Sequence, residues 1–155
     1  MYVGVTAAMR LLAARLMCTL TSFYTHQNET IKIGALLSLT GDNAQQGNLA
    51  QNGILVAVDK INEEGGINGK KIKLVIEDTR TDANGTITAM NKIAKLDKVS
   101  GIIVTGDTEL PIVNQLADNY GIPIIATICT GMIDKNRSDL VFRYCYNEEQ
   151  EDRYM

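Results

Sequence analysis

The run Ile31-Lys32-Ile33-Gly34-Ala35-Leu36-Leu37 is a short apolar strand pattern, and Ser38-Leu39-Thr40-Gly41-Asp42-Asn43 behind it is a cluster of turn formers. Beyond the turn, Leu49, Ala50, Ile54, Ala57, Val58 and Ile61 recur at helical spacing. Their common stripe predicts an amphipathic helix over about 44–62. Gly65-Gly66-Ile67-Asn68-Gly69 then stops the helix and turns the chain. The rest repeats this unit. Ile72-Lys73-Leu74-Val75-Ile76 is a second strand, and Asp82 caps a second helix with Ile87, Met90, Ile93, Ala94 and Leu96 inward. Gly101-Ile102-Ile103-Val104 is a third strand. A third helix follows over about 110–120, with Pro111 in its first turn and Ile112, Val113, Leu116 and Ala117 inside. Ile122–Ala126 and Leu140–Tyr144 read as the fourth and fifth strands, with a turn or short helix from Gly131 to Asn136 between them. Short strands that are apolar throughout fit a parallel sheet covered by helices on both faces. Right-handed crossovers then give an α/β fold, a three-layer doubly wound parallel sheet.

Composition narrows the function. The 155 residues suffice for one domain with a sizeable core. A net charge of −3 argues against a nucleic-acid partner, which selects a basic face. The single histidine, His26, stands in a polar stretch ahead of the fold, so no His-dependent triad or zinc site is expected. Cys18, Cys129 and Cys145 form no C-x-x-C pair; separate buried thiols and an approach of Cys129 to Cys145 in space both stay open. No G-x-G-x-x-G follows the first strand, and Walker and G-x-S-x-G motifs are absent, so neither a cofactor nor catalysis is expected. Glu77 and Asp78 are adjacent at a strand end and should point to opposite faces, which weakens any acid/base pairing.

Residues 1–28 read as a leader. Arg10 and Arg15 accompany Leu11, Leu12, Ala13, Ala14, Leu16, Met17 and Leu20, and no acid precedes Glu29. This is the outline of a secretory signal and predicts a periplasmic or extracellular protein. Arg15 interrupts the apolar part, and an ordinary amphipathic leader or a lipid anchor on Cys18 are the alternatives. No apolar run reaches the roughly 18 residues of a membrane span.

Ligands of open α/β sheets bind outside the carboxyl ends of the strands. Hydroxyls gather there: Ser38 and Thr40 after the first strand, Thr79 after the second, Thr105 and Thr108 after the third, Thr127 and Thr130 after the fourth. Thr108 precedes the third helix, whose free N–H groups would favour an anion by roughly 0.3–1 kcal/mol. A carboxylate is a natural guest. Hydroxyls at helix starts and in loops also serve as caps and bond local backbone, so spacing alone leaves both roles open.

The stretches Ile31–Gly41 and Val58-Asp59-Lys60-Ile61-Asn62-Glu63-Glu64-Gly65-Gly66-Ile67-Asn68-Gly69 resemble the branched-chain amino acid (Leu/Ile/Val) binding proteins of ABC transporters. Glu77-Asp78 with Asp82, Gly121–Ile125 followed by Thr130, and Val141-Phe142-Arg143 resemble the same family. The resemblance implies one lobe of a type I periplasmic binding protein fold, whose two lobes close on a solute by hinge motion. It divides the chain into the leader 1–28, an N-terminal solute-binding lobe 29–145, and the start of a crossing to a second lobe over 146–155. It implies a small-molecule partner, an amino acid or similar solute, and a transporter permease for a full-length protein. Thr108 and Thr130 match hydroxyl ligands, Cys129 a backbone ligand, and Gln46 a position over the ligand that often carries an aromatic ring. Gln46 brings no such ring, and Asp107 and Glu109 beside Thr108 oppose a carboxylate unless they turn away. A sensory lobe of a receptor, or a fragment without binding activity, is the alternative.

Overall fold

The computed structural model describes residues 15, 29–128 and 137–145. The rest of the leader with Cys18 and His26, the ligand-loop residues Cys129 and Thr130, the turn over 131–136 and the segment 146–155 lie outside the described residues. Five parallel strands form one sheet: β1 (Thr30–Leu37), β2 (Lys71–Asp78), β3 (Gly101–Thr105), β4 (Ile124–Thr127) and β5 (Val141–Arg143). Their order is β2-β1-β3-β4-β5. Three helices connect them, α1 (Ala44–Glu63), α2 (Ala83–Asn91) and α3 (Leu110–Tyr120). The alternation read from the sequence is therefore the architecture.

Strand alternation divides β3 between two layers. Ile102 and Val104 join Ile124 and Ala126 in the main core, against Ala89, Met90 and Ile93 of the α2 side and Val113 and Ala117 of α3. Ile103 and Thr105 face the other way, toward Ala50, Gly53 and Ile54 of α1. On that second face the residues Ala35, Ile103, Ile125 and Phe142 stand in register across β1, β3, β4 and β5. Ala35 is buried, but Ile125 is 48% and Phe142 56% exposed. Among the described residues only α1 covers this face, and it packs over β1 and β2. Among the described residues, the expected double covering is seen over β1 and β2.

This half-open face explains why α1 buries less than its expected inward stripe. Leu49, expected inside, is 66% exposed, and the one buried position is Gly47. A helix against a half-covered face buries only the narrow strip that meets β1 and β2. At its far end, the Asn62 side chain accepts from Ile72 N (2.7 Å) and donates to Ile72 O (2.9 Å), closing the outer edge of β2 with a strand-like pair.

Asp82 caps α2 as its position suggests: Oδ1 accepts from Gly85 N at 2.7 Å. The helix then widens into a π-helical turn, Lys92–Asp97. The extra residue per turn rotates the following side chains away from the 3.6-residue register. Ile93 stays fully buried while Leu96, expected inside, is 74% exposed. The two positions give a test in urea unfolding. Ile93→Ala should lower stability by about 2–5 kcal/mol as a cavity in the core, and Leu96→Ala should change it by less than about 0.5 kcal/mol. Equal losses would contradict the π-helical register.

Candidate functional site

The connections leave β1 and β3 in opposite senses. The chain passes from β1 through α1 to β2 on one side, and from β2 through α2 back to β3 on the other. Such a switch point opens a crevice beyond the strand ends. One is found there, a shallow notch open to solvent with a cavity volume of about 10 Å³, room for about one water. Ser38 closes it at the end of β1, Asn43, Gln46 and Gly47 at the start of α1, Thr105 and Gly106 after β3, and Ile128 after β4. It is far smaller than ligand pockets, which hold about 300–1,000 Å³, and has the form of one wall of a site. Gly47 is required for this shape, because a Cβ there would run into the Ser38 carbonyl.

Beneath the crevice lies a buried carboxylate. Glu109 is fully buried, and its Oε1 accepts from Ser38 Oγ at 2.5 Å and from Thr79 Oγ1 at 2.6 Å. Each hydroxyl has one proton, so both point at the carboxylate and the 3.2 Å approach of the two hydroxyls to each other is a consequence. Oε2 has no hydrogen-bond partner among the described residues. It rests against Gly106, whose φ of +105° suits glycine and where a Cβ would collide with the carboxylate. The Glu109 carbonyl accepts from Ile112 N (3.1 Å) and Val113 N (3.0 Å), and Pro111 brings no N–H. The start of α3 therefore offers an anion fewer free N–H groups than expected of a helix start.

The β2 end is organised by Asp78. Its Oδ1 accepts from Leu39 N (2.9 Å), Thr40 N (3.2 Å) and Arg80 N (2.8 Å), and its Oδ2 from Thr40 Oγ1 (2.6 Å). Burial pushes this carboxyl up, but the Thr40 hydroxyl and the N–H groups of Arg80, Thr40 and Leu39 outweigh it and hold it below its ordinary value of 3.8. Its neighbour Glu77 points elsewhere and pairs with Lys92 at 2.7 Å. The expectation that the two acids form no catalytic pair agrees with this geometry. Arg80, Thr81 and Ile128 hold left-handed φ values of 57°, 55° and 55° along the same edge. β-Branched residues in that region are strained, and such strain clusters at functional sites.

Of the residues singled out in the sequence, Gln46 is brought to the crevice and is exposed at its rim. Thr108 is exposed on the loop after Gly106 and Asp107. Cys129 and Thr130 lie outside the described residues. Ser38, Thr105 and Gly106 belong to the crevice through their place at strand ends, the one signal that marks them in the sequence. Glu109 had no such signal, since an acid before a helix reads as a solvated cap.

A family described as periplasmic binding protein matches residues 30–153. The Leu/Ile/Val-binding protein BraC3 of Rhizobium johnstonii is 31% identical over 78% of this chain and 33% of its own length. The leucine-, isoleucine-, valine-, threonine- and alanine-binding protein of Pseudomonas aeruginosa is 29% identical over 90% of this chain and 38% of its own. Among solved structures, the branched-chain amino acid binding protein LivJ of Streptococcus pneumoniae in complex with isoleucine is 27% identical, with a TM-score of 0.66 over 77% of this chain and 34% of that one. The leucine binding protein LivK of Thermotoga maritima shares the fold at a TM-score of 0.71 and 23% identity, over 81% of this chain and 35% of its own. The chain spans about a third of the length of the relatives it matches.

Asp78 makes the edge sensitive to acid. Its folded-state pKa is the lowered one, so its contribution is complete above the unfolded value near 3.8 and is lost as pH falls through the folded value. Asp78→Asn should unfold at lower urea than the parent chain near pH 7, and the gap should close as pH approaches about 2. A gap that stays constant across this range would show that the charge plays no part.

Proposed function

Because the chain belongs to the periplasmic binding protein family, we propose that it is the solute-binding lobe of an ABC-transporter substrate-binding protein, with an amino acid or a solute of similar size and polarity as ligand. The position of the crevice carries this reading: it opens at the β1/β3 switch point, walled by strand-end hydroxyls and the close-packed Gly47. The relative solved with isoleucine has the same fold, and two curated relatives are named for binding leucine, isoleucine and valine, which supports the amino-acid class. The family works by binding and not by catalysis.

The proposed contacts are few. Gln46 stands over the solute from α1, and Thr108 offers a hydroxyl from the loop after β3. The Cys129 backbone and the Thr130 hydroxyl complete the wall from the loop after β4. The partner in transport is a membrane permease, reached from the periplasm, with a second lobe closing on the opposite side of the solute. One open wall leaves the solute half in water, where each hydrogen bond exchanges with solvent and nets only about 0.5–1.5 kcal/mol.

An NMR titration of the chain with isoleucine tests this. The expected result is saturable binding weaker than about micromolar, with amide shifts at Ser38, Gln46 and Thr105–Thr108. Shifts confined to the amino-terminal edge of the sheet, or none, would refute the site. Micromolar or tighter binding by a proven monomer would refute the need for a second lobe. Gln46→Ala should weaken binding about three- to ten-fold, the effect of losing one hydrogen bond.

A further inference from the structure

We propose that Glu109 sets the charge selectivity of the crevice. It disfavours solutes of net negative charge and favours one that presents a positive or hydrogen-bond-donating group toward Ser38 and Gly106. This deepens the solute-binding function proposed above and rests on it.

Three observations converge. The first is the carboxylate itself, fully buried, with Oε1 saturated by Ser38 and Thr79 and Oε2 without a partner among the described residues. Ser38 and Gly106 separate it from the crevice, and Oε2 lies directly under Gly106, which has no side chain to thicken that floor. A buried charge is poorly screened, so its field reaches a solute on the far side of one backbone layer.

The second observation is how few free donors the start of α3 offers. The α3 start is the nearest source of positive potential, but Ile112 N and Val113 N bond the Glu109 carbonyl and Pro111 has no N–H. The carboxylate of Glu109 itself stands at this helix start and offsets the positive end of its dipole, so little of that potential is left for an anion in the crevice.

The third is the balance of charge around the rim. The described residues at the ends of β1, β2 and β3 and in the loops beyond them carry Asp42, Asp78, Asp82, Asp107 and Glu109 against Arg80. Arg80 is turned to Asp82 at 3.8 Å. Arg143 ends β5, two strands from β3, and none of the described residues that line the crevice is basic. Exposed acids at a rim are weak discriminators in salt; the buried one is not.

The test is an NMR titration of the full chain with three probes of one shape and different charge: isoleucinamide (+1), isoleucine (0) and 3-methylpentanoate (−1). The parent chain should bind isoleucine roughly ten-fold or more tightly than 3-methylpentanoate, and isoleucinamide at least as well as isoleucine. Glu109→Gln keeps the size and the hydrogen-bond acceptor of the side chain and should shrink the isoleucine preference to within about three-fold. A structural role alone would weaken all three probes together and leave the ratio intact, which would overturn the proposal. So would equal binding of the acid and isoleucine by the parent chain. Should the variant fail to fold, the parent chain in about 1 M salt decides: a preference that vanishes comes from the exposed rim and overturns the proposal, and one that survives supports the buried carboxylate. Failure of every probe to bind the parent chain would overturn the solute-binding function itself, and is distinguished by the absence of any shift.

Discussion

The carboxylate of Glu109 holds the ends of three adjacent strands. Ser38 follows β1, Thr79 follows β2, and Glu109 itself closes the loop after β3. The amino-terminal parts of these strands are fixed by ladder hydrogen bonds, but the ladders stop at Leu37, Asp78 and Thr105. Beyond those points the chains separate into different layers. Two charge-assisted hydrogen bonds contribute about 1.5–3 kcal/mol each, and burying the carboxylate costs several kcal/mol, so the cluster adds little net stability. Its effect is geometric. It decides where Ser38 stands, and the Ser38 carbonyl in turn decides how closely α1 approaches through Gly47. Asp78 repeats the device one loop away, where its bonds to Leu39 and Thr40 bind the β1 end to the β2 end. The crevice is the space left between chains that these two acids hold in place.

The sheet supports this edge unevenly. Its α2 and α3 face is closed by a continuous core through Met90, Ile93, Val104, Val113 and Ile124. Its other face is closed over β1 and β2 by α1 and is open over β4 and β5, where Ile125 and Phe142 meet solvent. The crevice lies at the border of the two regions. Gln46 and Gly47 belong to the covered side, and Ile128 to the open one. The rigid half of the site is therefore the half built on β1, α1 and the Glu109 cluster.

The strands and helices were legible because the sequence carries both periods cleanly. Apolar runs such as Gly101–Val104 have strand length, and Ile112, Val113, Leu116 and Ala117 have helix spacing. Asp82 as a cap and Pro111 in a first turn were legible for the same reason: their chemistry is local. What the pattern hid depends on tertiary partners. Leu49 fits an inward stripe, but among the described residues no second helix covers the sheet beside α1, and Leu49 faces water. Leu96 fits the α-helical period of Ile93, but the π-helical turn between them breaks that period. The strand-end hydroxyls could be named from the topology rule, whereas the inward turn of Glu109 required knowing that Ser38 and Thr79 meet. Those two residues are 41 positions apart and adjacent only because β1 pairs with β2 in register.

Affinity and selectivity come from different parts of such an edge. In an open crevice, hydroxyls and side-chain amides bond solute and water almost equally well, and their net contribution is small until water is excluded. Closing a second wall is what converts those contacts into affinity. A charge beneath the floor is already removed from water, so its preference does not wait for closure. Glu109 is in that position, while Gln46 and Thr108 are exposed. One wall can therefore choose among solutes by charge before it can hold any of them tightly. The discriminating group is then the residue that touches nothing in the crevice, and acts through the Ser38 hydroxyl and the bare backbone of Gly106.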